Sequence, residues 1–409
     1  MKILLTTDAV GEAWHCSVEL LRAINLAAEF PVFATLATFG TPLSTDQMKV
    51  IEKLPNVEVV FGDYLPEWMT EAWRDVDEAG EWLSELAKSM QPDVVHLNGY
   101  SLAIHQFGAP VIVAAHWCVW TWWRAVHKCD PPPQWNEHRQ RVRNGLLAAE
   151  AVVAPSQAML DALERAHDLH ADPRWLAKPR KAIAIACAKD GYRTGPKHPF
   201  IFTAGQLWDD ATNLAALDEA AGELSWRVYA AGSYHAPGQD SLVLPKHIKL
   251  TGELPRIHLQ QWLADADIFA APFKYDPFGA AILEAAMSGC ALVLGDIPSL
   301  REHWNGAAEF VDPDNPREIR DTLQNLIRTP AQRRRLANAA LERALAFSPL
   351  RMARAYLKLY ESVSRVKHSP AAVNGSHMPR VRMHGPSHAA VRHDHQPMTA
   401  GASRRSTVR

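Results

Sequence analysis

Short apolar runs, each closed by turn-forming residues, alternate along the chain with stretches of helical period. One series opens with KILLTT (2–7) and continues through PVFATLAT (31–38), VEVVFG (57–62), DVVHLN (93–98), PVIVAAH (110–116) and AVVAPS (151–156). A second runs PFIFTAG (199–205), WRVYAAG (226–232), HIKLTG (247–252), IFAAPF (268–273), ALVLGD (291–296) and AEFVDP (308–313). Amphipathic segments separate the runs, among them Cys16–Phe30 and Trp73–Met90. Strands that read as unbroken apolar runs are buried on both faces, so the alternation predicts βαβ units and parallel sheets. The polar stretch YRTGPKHP (192–199) interrupts the pattern with Gly and Pro and marks the boundary between two doubly wound, Rossmann-like α/β domains, 1–193 and 194–348. Two such domains side by side leave a central cleft between the carboxyl ends of their strands, where open α/β sheets bind ligands.

Composition sharpens this picture in three places. At 409 residues, 47% of them hydrophobic, the chain is long enough for two domains with cores of their own. Its net charge of −2 gives no overall pull toward nucleic acid or anionic lipid, and no apolar run has the length of a membrane span, so membrane contact is expected to be at most peripheral. The five cysteines are scattered singly, without CxxC or metal-ligand spacing, which fits a reduced, cytoplasmic setting. From about 367 the pattern stops. Residues 368–409 hold six Arg, six His and one Asp, which predicts a disordered tail, and setting that tail aside takes the body from −2 to −7.

The chemistry concentrates in KYDPFGAAILEAAMSGCALVLGD (274–296). Here two carboxylates, Asp276 and Glu284, stand eight positions apart across a Pro-Phe-Gly turn. IFAAPF reads as a strand, KYDPFG as the turn at its carboxyl end, and AAILEAAMSG as a helix that stops at Gly289. A structural reading makes Asp276 the helix N-cap with Pro277 in the first helical position, a pairing that stabilises a helix by about 1 kcal/mol. A functional reading turns the amides of Gly279 and Ala280, with the positive end of the helix dipole, toward a phosphate. Glu284 then lies about 7.5 Å further along the helix, where it accepts hydrogen bonds from a ribose diol. That geometry suits a nucleotide sugar.

The segment DPFGAAILEAAMSGCALVLGDIPSLRE resembles the donor site of family 4 GT-B glycosyltransferases, whose pattern is two carboxylates around a Pro-Phe-Gly. The likeness extends over roughly residues 1–365 and includes the opening strand with its Gly11 loop, DVVHLNGY (93–100), AAHWC (114–118) and AGQLWDDATNLAAL (204–217). It implies a GT-B fold whose last helix, 349–366, packs back toward the first domain. By resemblance, Glu284 binds the donor ribose and Asp276 lies by the transferred sugar. The Phe278–Ala280 backbone meets sugar and phosphate, and His116 stands on the opposite wall of the cleft. The implied reaction moves a hexose from a nucleoside-diphosphate sugar to a glycan, lipid or small-molecule acceptor, with retention, no metal and no cofactor. The one DxD, Asp265-Ala-Asp267, falls at a helix-to-strand junction and reads as structural.

Four positions depart from the family pattern. Gln206 and Thr212 replace an Arg and a Lys that clamp the diphosphate, Glu12 replaces a second glycine beside Gly11, and Asp276 replaces a Glu. Charge-assisted hydrogen bonds contribute about 1.5–3 kcal/mol each, so the two lost cations matter most. Lys274 and Arg301 are the candidate substitutes. The five tryptophans of HWCVWTWWRAVHKCDPPPQW (116–135) suit either core packing or stacking on an acceptor sugar. Two alternatives to transfer stay open: a catalytically impaired binding or regulatory subunit, and a nucleotide-sugar 2-epimerase on the same architecture.

Overall fold

The computed structural model describes residues 1–9, 11–69, 72–235 and 244–364, together with 381–383. Its first sheet contains β1 (Lys2–Asp8), β2 (Phe33–Phe39), β3 (Val57–Gly62), β4 (Val94–Leu97), β5 (Val111–Ala114), β6 (Ala151–Ala154) and β7 (Arg180–Ala182). The second contains β8 (His198–Ala204), β9 (Arg227–Ala231), β10 (Ile248–Gly252), β11 (Ala266–Ala271), β12 (Ala291–Gly295) and β13 (Glu309–Val311). A short strand, β14 (Val381–Met383), adds to the first sheet beside β3. All pairings are parallel, in the orders β14-β3-β2-β1-β4-β5-β6-β7 and β10-β9-β8-β11-β12-β13. These are two Rossmann-like domains. Each sheet reverses its winding once, between β1 and β4 and between β8 and β11, and each reversal opens a crevice at the carboxyl ends of the strands.

Alternation along each strand fills both faces. Leu4 packs in the core on one side of the first sheet with Val95, Val113 and Val152, while Ile3 and Leu5 pack on the other with Val94, Ile112 and Val153. The second sheet is covered in the same way, with Phe202, Phe269 and Leu292 on one face and Ile201, Ile268 and Val293 on the other. Full burial of each large apolar side chain contributes about 1.5–3 kcal/mol, which is why these runs carry almost no polar residues.

The helix Pro349–Val363 belongs to the first core although it follows the second domain in sequence. Met352, Ala353, Tyr356, Leu357 and Tyr360 share one face at helical spacing and pack with Ile3, Leu21 and Ile24. Tyr360 also reaches His96 Nδ1 with its hydroxyl at 2.6 Å, so the chain's return is held by a buried polar contact as well as by apolar burial.

One sequence expectation needs correction, and two short strands add to the reading. The helix expected over 16–30 is Gly11–Ala27, so it begins directly at the cleft loop. Strand β7 (Arg180–Ala182) is not among the expected strands, because a three-residue edge strand that is largely exposed carries no apolar run. Within the segment expected to be a disordered tail, Val381–Met383 pairs with β3; the rest of 367–409 lies outside the described residues. Among the described residues, no helix is long and apolar enough to cross a membrane.

Candidate functional site

The loop after β11, residues 272–279, leaves the sheet at its point of reversal and leads into the helix Ala280–Met287. Asp276 does not take the N-cap position, as the capping reading had it. Gly279 does, at φ 89°, a left-handed conformation that favours glycine, and the helix starts at Ala280. Asp276 Oδ1 instead accepts from the amides of Phe278 at 2.9 Å and Gly279 at 2.5 Å. The amide of Gly279 is therefore not free for a phosphate, and neither is that of Phe278. The side chain of Phe278 is fully buried, edge-on to His303 and Phe347. Burial pushes the Asp276 carboxyl up to about 6, against the pull of its two amide partners, and the nearby Asp209 carboxylate adds to the rise.

Glu284 lies further along the same helix and is half-buried. Burial raises its carboxyl, while the Tyr192 hydroxyl and the charge of Arg256 oppose the rise. Its Oε1 accepts from the Tyr192 hydroxyl at 2.5 Å. The sequence singled out neither Tyr192 nor Arg256. Both are polar residues in segments that read as linker and surface helix, and only the fold brings them to Glu284.

The second loop of this domain follows β8. Gln206 is exposed there, and the Thr212 hydroxyl closes its own turn by donating to Asp209 O at 2.7 Å. Asp209 stands between them; its carboxylate accepts from Ala211 N at 2.8 Å and from Trp122 Nε1 of the first domain at 2.9 Å. Burial raises the Asp209 carboxyl as well. Both candidate substitute cations are committed elsewhere. Lys274 Nζ pairs with Asp314 at 2.8 Å, and Arg301 grips Asp296 with two nitrogens at 2.6 and 2.7 Å while lying over the Phe310 ring. The acidic pair Asp265 and Asp267 is separated in role: Asp265 ends a helix, and Asp267 in β11 pairs with Arg333 at 2.7 Å.

On the facing wall, Gly11 opens the helix Gly11–Ala27 just after β1; the side chain of Glu12 lies outside the described residues. His116 follows β5. Asn98 spends its amide hydrogens on Thr6 O and Ser17 Oγ, so its Oδ1 must accept from His116 Nε2–H at 3.1 Å. The ring is thereby set as the Nε2–H tautomer, with an acceptor lone pair on Nδ1. Burial lowers its pKa to about 4, so it is neutral at physiological pH. Asp8, at the end of β1, accepts from Trp68 Nε1 at 2.7 Å and is raised by burial to about 6. Of the five tryptophans, Trp120, Trp122 and Trp135 are buried, and Trp122 carries the contact to Asp209.

The two walls are tied together beside Asp276. Tyr275 inserts its hydroxyl into the first domain, within 2.8 Å of Thr121 Oγ1 and 3.3 Å of Cys118 N. Ser156 Oγ donates to Pro277 O at 2.8 Å, and Glu302 caps the helix Gln157–Ala166 by accepting from Gln157 N and Ala158 N, each at 2.8 Å. Tyr275→Phe is expected to cost about 1–3 kcal/mol in stability, because it strips the Cys118 amide of its partner. Denaturant titration measures this. A variant as stable as the parent would show that water replaces the hydroxyl.

Comparison with known proteins agrees with this architecture. A family model described as Glycosyltransferase Family 4 matches residues 35–175, and one described as Glycosyl transferases group 1 matches 198–329, one in each domain. The chain belongs to family 4 of the GT-B glycosyltransferases. Among curated relatives, this family 4 chain is 34% identical over 106 residues to a D-inositol 3-phosphate glycosyltransferase of Nocardioides sp., and 33% identical over 121 residues to one of Frankia alni. These matches span 25% and 29% of the chain and only 23% and 29% of the relatives' length. Among solved structures, a sucrose-phosphate synthase from Thermosynechococcus elongatus superimposes with a TM-score of 0.71 at 15% identity, covering 88% of this chain and 98% of that one. The Anabaena protein HepE, solved in complex with UDP, gives 0.65 at 18% identity, covering 88% and 100%. At such identities the superpositions speak for the fold.

Proposed function

We propose that this chain transfers a hexose, with retention, from a nucleoside-diphosphate sugar to a glycan, lipid or small-molecule acceptor, using no cofactor. The observation that carries the reading is the placement of the helix Ala280–Met287. It begins at the winding reversal of the second sheet, with Asp276 in the loop before it and Glu284 half-buried along it. The positive end of the helix dipole offers a resting place for the diphosphate, the Glu284 carboxylate an acceptor for ribose hydroxyls, and the facing wall with neutral His116 a boundary for the sugar. Such transfer asks little of side chains beyond positioning and stabilising the departing diphosphate. The solved relative bound to UDP lends support at the level of ligand class.

One observation favours a second reading, a binding or regulatory subunit with impaired catalysis. Asp276 and Asp209 bring two carboxylates to the region meant for a diphosphate, while Lys274 and Arg301 are held by Asp314 and Asp296. Like charges there weaken anion binding. Thermal-shift titration with UDP-, GDP- and ADP-sugars, followed by incubation with candidate acceptors, separates the two: stabilisation with donor turnover supports the transferase, and stabilisation alone supports the subunit. Glu284→Gln is expected to weaken the preferred nucleotide about tenfold, since an amide is a poorer partner for a diol than a carboxylate. Equal affinity of variant and parent would remove the ribose assignment.

A further inference from the structure

The linker between the domains reaches into the second one. Tyr192 N donates to Lys189 O at 3.1 Å, closing a turn in which Gly191 has φ +91°. A side chain at Gly191 would meet Gln260 at 2.6 Å, so the turn sits directly on the helix Arg256–Asp265. Held in this way, the Tyr192 ring is almost fully buried, and its hydroxyl donates to Glu284 Oε1 at 2.5 Å. Arg256, at the start of the helix after β10, approaches the same hydroxyl with Nη2 at 3.3 Å. Among the described residues, Arg256 makes no ion pair within 4.0 Å, unlike Lys274 and Arg301. The result is a chain of three polar groups from three separate segments, ending on the carboxylate assigned above to the ribose.

We propose that Tyr192 and Arg256 are positioning residues of the nucleotide site: the Tyr192 hydroxyl, braced by Arg256, fixes Oε1 of Glu284 and leaves Oε2 to accept a ribose hydroxyl of a nucleoside diphosphate. The inference rests on the reading that Glu284 receives the ribose. A half-buried carboxylate with less support is more readily protonated, and protonation turns an acceptor into a donor. The groups facing Glu284 are Tyr192 and Cys187 of the linker and Arg256 of the second domain; Arg256 in turn faces Glu19 and His15 on the helix Gly11–Ala27. The ionised carboxylate is the binding form, so nucleotide affinity is full above the Glu284 pKa and falls as pH drops through it. Loss of either supporting group raises that pKa further and moves the fall to higher pH.

The experiment is calorimetry on the parent, Tyr192→Phe, Arg256→Gln and Arg256→Lys, with whichever of UDP, GDP and ADP the parent binds best and with its 2′,3′-dideoxy analogue, between about pH 5 and about pH 8. The expected result is an affinity loss of about tenfold for Tyr192→Phe with the ribonucleotide and none with the dideoxy analogue. Arg256→Gln is expected to shift the acidic loss of binding upward, and Arg256→Lys to restore the parent profile. Unchanged affinity and pH profile in Tyr192→Phe and Arg256→Gln would overturn the inference while leaving the ribose assignment standing. An equal loss with both nucleotides would also overturn it, by showing a general effect on the fold of the pocket. Absence of nucleotide binding by the parent would overturn the ribose reading and the inference together.

Discussion

Gln206→Arg combined with Thr212→Lys is expected to tighten binding of the preferred nucleoside diphosphate by at least about tenfold. One restored charge-assisted hydrogen bond is worth roughly 1.5 kcal/mol, which is about a factor of ten in affinity. The structure shows room for the gain, because neither candidate substitute, Lys274 or Arg301, is free to stand in for the two cations that the family pattern leads one to expect. Lys274 is neutralised by Asp314, itself within 3.7 Å of Lys128 from the first domain, and the two-nitrogen grip of Arg301 on Asp296 leaves little of its guanidinium to offer. Gln206 is exposed on the loop, and Thr212 uses its hydroxyl on the turn, so neither present side chain contributes charge. The added cations would also offset Asp209 and Asp276. Lys274→Ala is expected to leave affinity nearly unchanged. Isothermal titration of parent, double variant and Lys274→Ala checks both expectations; a strong loss in Lys274→Ala with no gain in the double variant would place the phosphate on Lys274.

The largest expected effect on stability is that of Gly232→Ala. Gly232 directly follows β9 with φ +132°, and a Cβ there would lie 1.8 Å from Gly205 O. Both atoms in conflict are tied to backbone: Gly232 N donates to Gly252 O at 3.0 Å, and Gly205 N donates to Ala231 O at 3.1 Å. No side-chain rotation relieves such a clash. The backbone strain and the steric conflict together are expected to cost about 3 kcal/mol or more. Relief requires Gly205 to move, and Gly205 opens the loop that carries Gln206, Asp209 and Thr212. The variant is therefore expected to lose nucleotide binding along with stability, measurable by thermal melting and titration on the same sample. A variant that melts with the parent would mean that this loop shifts freely.

The strands of both sheets are legible in the sequence because parallel strands buried on two faces leave no room for polar residues, as Ile201, Phe202, Ile268 and Phe269 show. β7 escapes notice for the opposite reason: an edge strand with exposed Arg and Lys has no apolar signature. The positions of Asp276 and Glu284 are equally readable, since a turn followed by a short helix is encoded in neighbouring residues. Their hydrogen bonds are not. Asp276 takes the amides of Phe278 and Gly279, a local choice that depends on φ at Gly279, and the sequence is silent between that arrangement and an N-cap.

By itself, then, the sequence determines the two wound sheets, the helices between their strands and the presence of a carboxylate pair on a strand-turn-helix. All of these rest on periodicity and on residues close together in the chain. The tertiary structure alone decides which charges remain available. Lys274 is forty residues from Asp314, Tyr192 ninety-two from Glu284, and Trp122 eighty-seven from Asp209. Electrostatic pairing acts through distances of a few ångströms in space, and separation along the chain carries no record of it.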